Sequence, residues 1–181
     1  MQTYISMLRG INVSGQKMIK MEALRKMFED LGVVNPQTYI QSGNVIFQFK
    51  KGIKTQLEKK IGTKINEVFG FKVPVLVKDI DELKKILKNN LFVSKRKEDL
   101  TKLHVTFLSE KPEQSNLDKI KSIQYDADEF ILSGTTIYLF CPNGYGRTKL
   151  NNNFFENKLK VTATTRNWRT INELLRIAEN I

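Results

Sequence analysis

Apolar positions along this chain switch between a spacing of two and a spacing of three to four, and the switches come in nearly the same order twice. Thr3–Leu8 reads as a strand. Met21, Leu24, Phe28 and Leu31 form a helical stripe closed by Gly32. Gln37–Gln41 and Val45–Phe49 read as two strands joined at Ser42-Gly43-Asn44, a hairpin signal. Leu57, Ile61, Ile65, Val68 and Phe69 mark a second helix, and Val73–Lys78 a fourth strand. Pro74 stands near the start of that strand, where a sheet edge tolerates it. Asp79 then caps a third helix, with Glu82 at the capping-box spacing.

After the polar stretch Lys88–Lys102 the order returns. Leu103–Leu108 is a strand, and Leu117, Ile120 and Ile123 mark a helix. Phe130–Leu132 and Thr136–Cys141 form a hairpin, whose second arm is apolar on both faces and therefore central. Asn151–Leu159 is a helix, Val161–Thr165 a short strand and Arg169–Ala178 a closing helix. Ile40-Gln41-Ser42-Gly43 is echoed by Ile131-Leu132-Ser133-Gly134, and Lys72-Val73 by Lys160-Val161. These echoes predict one supersecondary unit used twice. The expected fold is α+β, with two tandem ferredoxin-like (split βαβ) subdomains from an internal duplication. The expected bounds are residues 1–92 and 103–181, with 93–102 as the linker. The stripes predict a core holding Met21, Leu24, Phe28, Leu31, Ile61, Ile65 and Phe69 in the first half. In the second they predict Ile120, Phe155, Leu159, Ile171 and Leu175.

Composition sharpens this picture. The 181 residues carry a net charge of +11, which attracts phosphates and acidic ligands. The excess is uneven: +8 over residues 1–92 and +3 over residues 93–181. Lys50, Lys51, Lys59, Lys60, Lys84 and Lys85 read as solvated helix faces or turns. No window approaches a membrane-spanning length, and Met1–Ile5 carries no export signal. A lone cysteine, Cys141, fits a reducing cytosol, so a cytoplasmic location is expected.

Three segments carry a resemblance: Leu8-Arg9-Gly10-Ile11-Asn12-Val13, Tyr39-Ile40-Gln41-Ser42-Gly43-Asn44-Val45 and Ala163-Thr164-Thr165-Arg166-Asn167-Trp168. Together they resemble the bacterial domain of unknown function 1697 family across nearly the whole length. Ser14 stands where that family usually has a glycine before Gly15. The resemblance implies the same two-subdomain fold. It implies no established activity, so no catalytic residue is carried over.

Candidate chemistry lies in three strand-to-helix loops. Arg9–Lys20 has Gly10 and Gly15 at phosphate-loop spacing, but Gln16 stands where a Walker loop needs lysine, and Met18-Ile19 replace its metal ligand. What remains is an uncapped helix start near Met21, with Arg9, Lys17 and Lys20 close by. The loop Pro142–Lys149 offers Arg147, Lys149 and Thr148 as a cap. Arg166-Asn167-Trp168-Arg169 places two arginines at a helix start, against the macrodipole, where the first half has Asp79 and Asp81. The predicted anion site is Arg9, Asn12, Lys17, Gln41, Asn44, Arg147, Lys149, Arg166, Asn167 and Arg169, converging on one basic surface. In the competing reading Gln41, Asn44 and Asn167 only satisfy loop backbone.

With one histidine, His104, and one cysteine, zinc and Cys-His chemistry lack parts. No metal or cofactor is expected. The leading expectation is a protein that binds a phosphate-bearing or other anionic ligand. The alternatives are a small-molecule enzyme using Arg/Lys electrostatics at the subdomain junction, and a weak nucleic-acid-binding module.

Overall fold

The computed structural model describes residues 1–181 as a mixed α+β protein with two four-stranded antiparallel sheets, each flanked by helices. The elements are β1 (Gln2–Leu8), α1 (Met21–Asp30), β2 (Val34–Tyr39), β3 (Asn44–Phe49), α2 (Lys54–Phe69), β4 (Val75–Asp79), α3 (Ile80–Lys88) and α4 (Leu91–Ser94). They continue with β5 (Leu103–Leu108), α5 (Gln114–Lys121), β6 (Glu129–Ser133), β7 (Thr136–Phe140), α6 (Asn152–Leu159), β8 (Ala163–Asn167) and α7 (Trp168–Glu179). The sheet orders are β2-β3-β1-β4 and β6-β7-β5-β8. β7 is thus an interior strand, as its two apolar faces require. No helix is long and apolar enough to cross a membrane.

The chain divides into two compact units, Met1–Lys85 with Glu173–Ile181, and Ile86–Asn172. These bounds differ from the expected 1–92 and 103–181. The polar stretch expected as a linker is folded structure of the second unit. Asn90 caps α4, and Phe92 is fully buried. The Arg96 guanidinium forks onto both oxygens of Glu129 in β6 at 2.6 and 2.9 Å and bonds Glu98 at 2.8 Å. It also lies over the Phe92 and Phe140 rings. Charge had disguised an anchored segment as a spacer.

In the first unit, α1 and α2 cover one sheet face. Leu24 and Phe28 from α1, and Ile61 and Ile65 from α2, close over Tyr4, Leu8, Val45, Phe47 and Val77. Phe47 is the hub, with ring centroids 5.3 Å from Phe28 and 5.9 Å from Tyr4. In the second unit Ile120, Phe155 and Leu159 close over Leu108, Ile137, Leu139 and Ala163. Tyr125, Phe130, Phe154 and Phe155 meet edge to face there. Strand alternation sends Ile5, Met7 and Ile46, and likewise Val105, Phe107 and Tyr138, to the opposite faces, and these are buried too.

Several expected core positions are displaced. Met21, Leu31 and Phe69 are only partly buried. Val68 and Ile123, which mark helical stripes but are not among the expected core positions, are exposed. In α7 the buried face runs through Trp168, Ile171, Leu174 and Ala178, so Leu174 takes the place expected of Leu175. The second strand also starts earlier than expected. Val34 pairs with Gln48, a register shift falls between Val34 and Gln37, and Asn35 adopts φ 51°. Pro36 is tolerated because it sits at that irregularity on an edge strand. Ile40, at φ 52°, turns the chain before Gln41, which therefore leaves the strand.

The echoed tetrapeptides both fall at the hairpin between the second and third strands of their sheets, one residue out of step. Leu8 N–H donates to Gly43 O and Leu108 N–H to Thr135 O, so Gly43 corresponds to Thr135 and not to Gly134.

Phe28 and Phe155 are both fully buried. Truncating either to alanine should cost about 3–5 kcal/mol in urea unfolding. A loss below about 1 kcal/mol would mean that these helix faces are wrong.

Candidate functional site

The ten predicted ligand residues divide evenly between the units, and most of their polar atoms already have work. Asn12, at φ 54°, is the keystone of the first loop. Its Oδ1 accepts from Ile19 N–H at 2.8 Å. Its Nδ2 donates to Ile19 O at 3.0 Å and to Gln41 O at 2.8 Å. That triple bond set closes the loop and stitches it to the β2–β3 turn. Asn44 is fully buried, and its Nδ2 donates to Tyr39 O and Ser42 Oγ. Lys17 Nζ donates to Lys72 O at 2.8 Å. Gly43 is required where loop meets turn: at φ 76°, an added Cβ would lie 2.7 Å from Ile11 Cδ1. Arg9 is half-buried, and Gln41 turns its side chain outward. The α1 start is uncapped, with Lys20 at the cap position.

In the second unit, Arg147 is exposed in a 3-10 turn, Tyr145–Arg147. Lys149 lies 3.8 Å from Asp126, both side chains in solvent, an ion pair of little energetic consequence. Thr148 is not the helix cap. Its hydroxyl accepts from Leu150 N–H, and Asn151 caps α6 by accepting from Phe154 N–H. Asn167 caps α7, accepting from Thr170 N–H at 2.7 Å. Arg166 Nη1 donates to Thr165 O. Arg169 is exposed in a first turn without acidic residues. Trp168 is buried, a packing anchor.

Two clusters escaped the sequence reading. The first joins α2, β4 and α3. Lys54 Nζ lies 3.2 Å from Asp79 and 2.5 Å from Glu82, and Lys78 lies 3.7 Å from Glu82. Asp79 and Glu82 exchange the reciprocal bonds of a capping box, Glu82 N–H to Asp79 Oδ1 and Asp79 N–H to Glu82 Oε2. Beside them Glu58 accepts from Val77 N–H. Burial pushes the Glu58 carboxyl up, against that bond and Lys78. Burial would also raise Asp79, but the Glu82 N–H and Lys54 together hold it below its ordinary value. The capping box was legible; Lys54, reaching it from 25 residues away in sequence, was not.

The second cluster lies on the helix-facing side of the other sheet. The Thr106 and Thr165 hydroxyls are 2.7 Å apart, and Thr165 donates to Asn152 Oδ1 at 2.7 Å. His104 stacks on Tyr145 with centroids 4.6 Å apart, and burial holds its imidazole below the ordinary value. Burial and Asp128 push the Cys141 thiol up to about 11, against a bond to Thr148. A thiol so placed stays protonated and a poor nucleophile at neutral pH. No three or more His, Cys, Asp or Glu side chains gather as metal ligands.

A family model for a protein of unknown function, DUF1697, matches residues 1–138. The chain belongs to the DUF1697 family. The match takes in the first two of the three motifs and ends at Tyr138, before Ala163–Trp168. No curated protein matches. A solved structure of a conserved bacterial protein from Streptococcus pneumoniae superposes with TM-score 0.76 at 22% identity, covering 98% of each chain. At that identity the likeness speaks for the fold alone. Of the ten candidate residues, Arg9, Asn12, Lys17, Gln41 and Asn44 fall inside the DUF1697 match, and the other five lie beyond it.

The Asp79 network yields a prediction with a definite sign. A carboxyl depressed in the folded state adds stability above its ordinary value of 3.8 and loses it as pH falls through the lower folded value. In thermal melts, Asp79→Asn should be destabilised relative to wild type at pH 6. The gap should narrow as pH drops below 3.8. A gap independent of pH would remove the ionised carboxylate from the account.

Proposed function

We propose that this DUF1697 protein binds a small phosphate-bearing or otherwise anionic molecule. The observation that carries the reading is the start of α7. Arg166 and Arg169 flank the Asn167 cap, and the first turn carries no acid. α3 follows its own strand just as directly and carries Asp81 and Glu82 in its first turn. Cations at the positive end of a helix are unfavourable by about 0.3–1 kcal/mol each unless an anion joins them. Arg147 is exposed in the glycine loop of the same unit.

The same reading takes the two sheets as ferredoxin-like units related by duplication, and the location as cytosolic. The shared strand order and the matched Leu8 and Leu108 bonds support the first. The single buried, protonated Cys141 supports the second.

Thermal shift with inorganic phosphate, mononucleotides and oligonucleotides tests the proposal. Phosphate or a mononucleotide should raise the melting temperature of the wild type. Arg169→Ala should abolish that rise while leaving the unliganded melting temperature unchanged. Asn167→Ala should instead destabilise the free protein by about 1 kcal/mol through loss of the cap. Protection by oligonucleotides alone, falling steeply with salt, would replace the small-molecule reading with a polyanion surface.

A further inference from the structure

We infer that the cleft between the end of β3 and the start of α2 is a second binding site, for a small organic anion with a flat apolar body, such as an aryl phosphate, sulfonate or carboxylate. The cleft encloses about 270 Å³. That is near the lower end of small-molecule sites, about 300 Å³, and enough for a ring with its acid group. It lies wholly within the first unit and shares no residue with the α7 start.

Its lining separates into an apolar floor and a cationic rim. Tyr4 and Leu57 are buried, and Phe49 is half-buried beside them. Lys50 and Lys60 supply the charge, Gln56 and the Gly52 backbone line it as well, and no acidic residue does. Lys60 Nζ stands 5.3 Å from the centroid of the Phe49 ring while donating to Leu31 O, so one cation is fixed over an aromatic face. The Tyr4 hydroxyl accepts from Gly52 N–H at 3.3 Å, tying the floor to the loop that forms the mouth. An arrangement of this kind recognises an anion at the rim and a ring on the floor.

Ile53 points the same way from the sequence side. It occupies the cap position of α2, where Ser, Thr, Asp or Asn would satisfy a free N–H, and it makes no cap bond. It is also 61% exposed at the cleft mouth. An isoleucine there adds nothing to the cap and adds apolar surface to the cleft mouth. The neighbouring Lys54 is not a rim donor, because it is held by Asp79 and Glu82.

Amide chemical-shift mapping on the full chain tests the assignment, with phenyl phosphate, 1-naphthalenesulfonate, inorganic phosphate and benzylamine as probes. Both aryl anions should shift the Gly52, Ile53 and Gln56 amides saturably. Inorganic phosphate should do so roughly tenfold more weakly, lacking the ring. Benzylamine, with a ring and the wrong charge, should not. Lys50→Glu and Ile53→Ser should each weaken 1-naphthalenesulfonate several-fold with the rest of the spectrum unchanged, and Arg169→Ala should leave its affinity as in wild type. Saturable shifts only at Asn167–Arg169 would support the α7 reading and overturn this one. So would binding of benzylamine as tight as that of the anions, or unchanged affinity in both cleft variants.

Discussion

A peptide N–H that a strand edge or a helix start leaves over needs an acceptor, and at two strand edges and four of its helix starts this chain supplies it from side chains. β4 and β8 are edge strands of their sheets. Glu58 of α2 accepts from Val77 N–H on one edge, and Glu156 of α6 accepts from Ala163 N–H on the other. Each glutamate thereby fixes its helix against the sheet and blunts an edge that would otherwise pair with another chain. Four helix starts follow the same rule through Asp79, Asn90, Asn151 and Asn167, while α1, α2 and α5 begin without a side-chain cap. The first loop follows it through Asn12. Polar residues that look chemical in a list are largely the acceptors that keep the backbone satisfied.

That constraint explains what the sequence disclosed and what it hid. Caps are local: Asp79 with Glu82, and Asn167 with Thr170, join residues three apart, so spacing alone reveals the first pair and the cap role of Asn167. Helix stripes are local as well, and Leu24, Phe28, Ile61, Ile65, Phe155 and Leu159 were legible by period. Contacts between distant residues were not. Arg96 reads as one more charge in a polar run until Glu129, 33 residues on, receives its guanidinium. Asn12 reads as a free ligand donor until Gln41, 29 residues on, takes one of its hydrogens. The second strand begins at Val34, before the expected Gln37, and its irregular edge pairing is what makes Pro36 acceptable there.

Charge divides the same way. A net +11 invites a search for anion sites, yet Lys17 and Lys60 donate to backbone carbonyls and Lys54 is held in a carboxylate network. Counting cations therefore overstates the field available to a ligand. Position counts for more. Lys50 in a cleft lined by no acid, or Arg169 in an acid-free helix turn, holds charge that no carboxylate of that cleft or turn neutralises.

The two strand-to-helix joints without a loop make the sharpest internal comparison. β4 runs directly into α3, and β8 directly into α7. Both helices are capped by the last strand residue, whose Oδ1 accepts from an N–H three positions later at 2.9 and 2.7 Å. The cap bond needs an acceptor oxygen, and asparagine serves as well as aspartate. The helix dipole does distinguish them, favouring the carboxylates found at Asp79, Asp81 and Glu82 over the arginines at 166 and 169 by about 0.3–1 kcal/mol per charge. Capping thus accounts for Asn167 and not for Arg169. A helix start that keeps its cap and trades its acids for guanidinium groups gains nothing from its own dipole. An anion brought to it restores the sign the dipole prefers, and this is the physical reason the ligand reading is placed at α7 and not at α3.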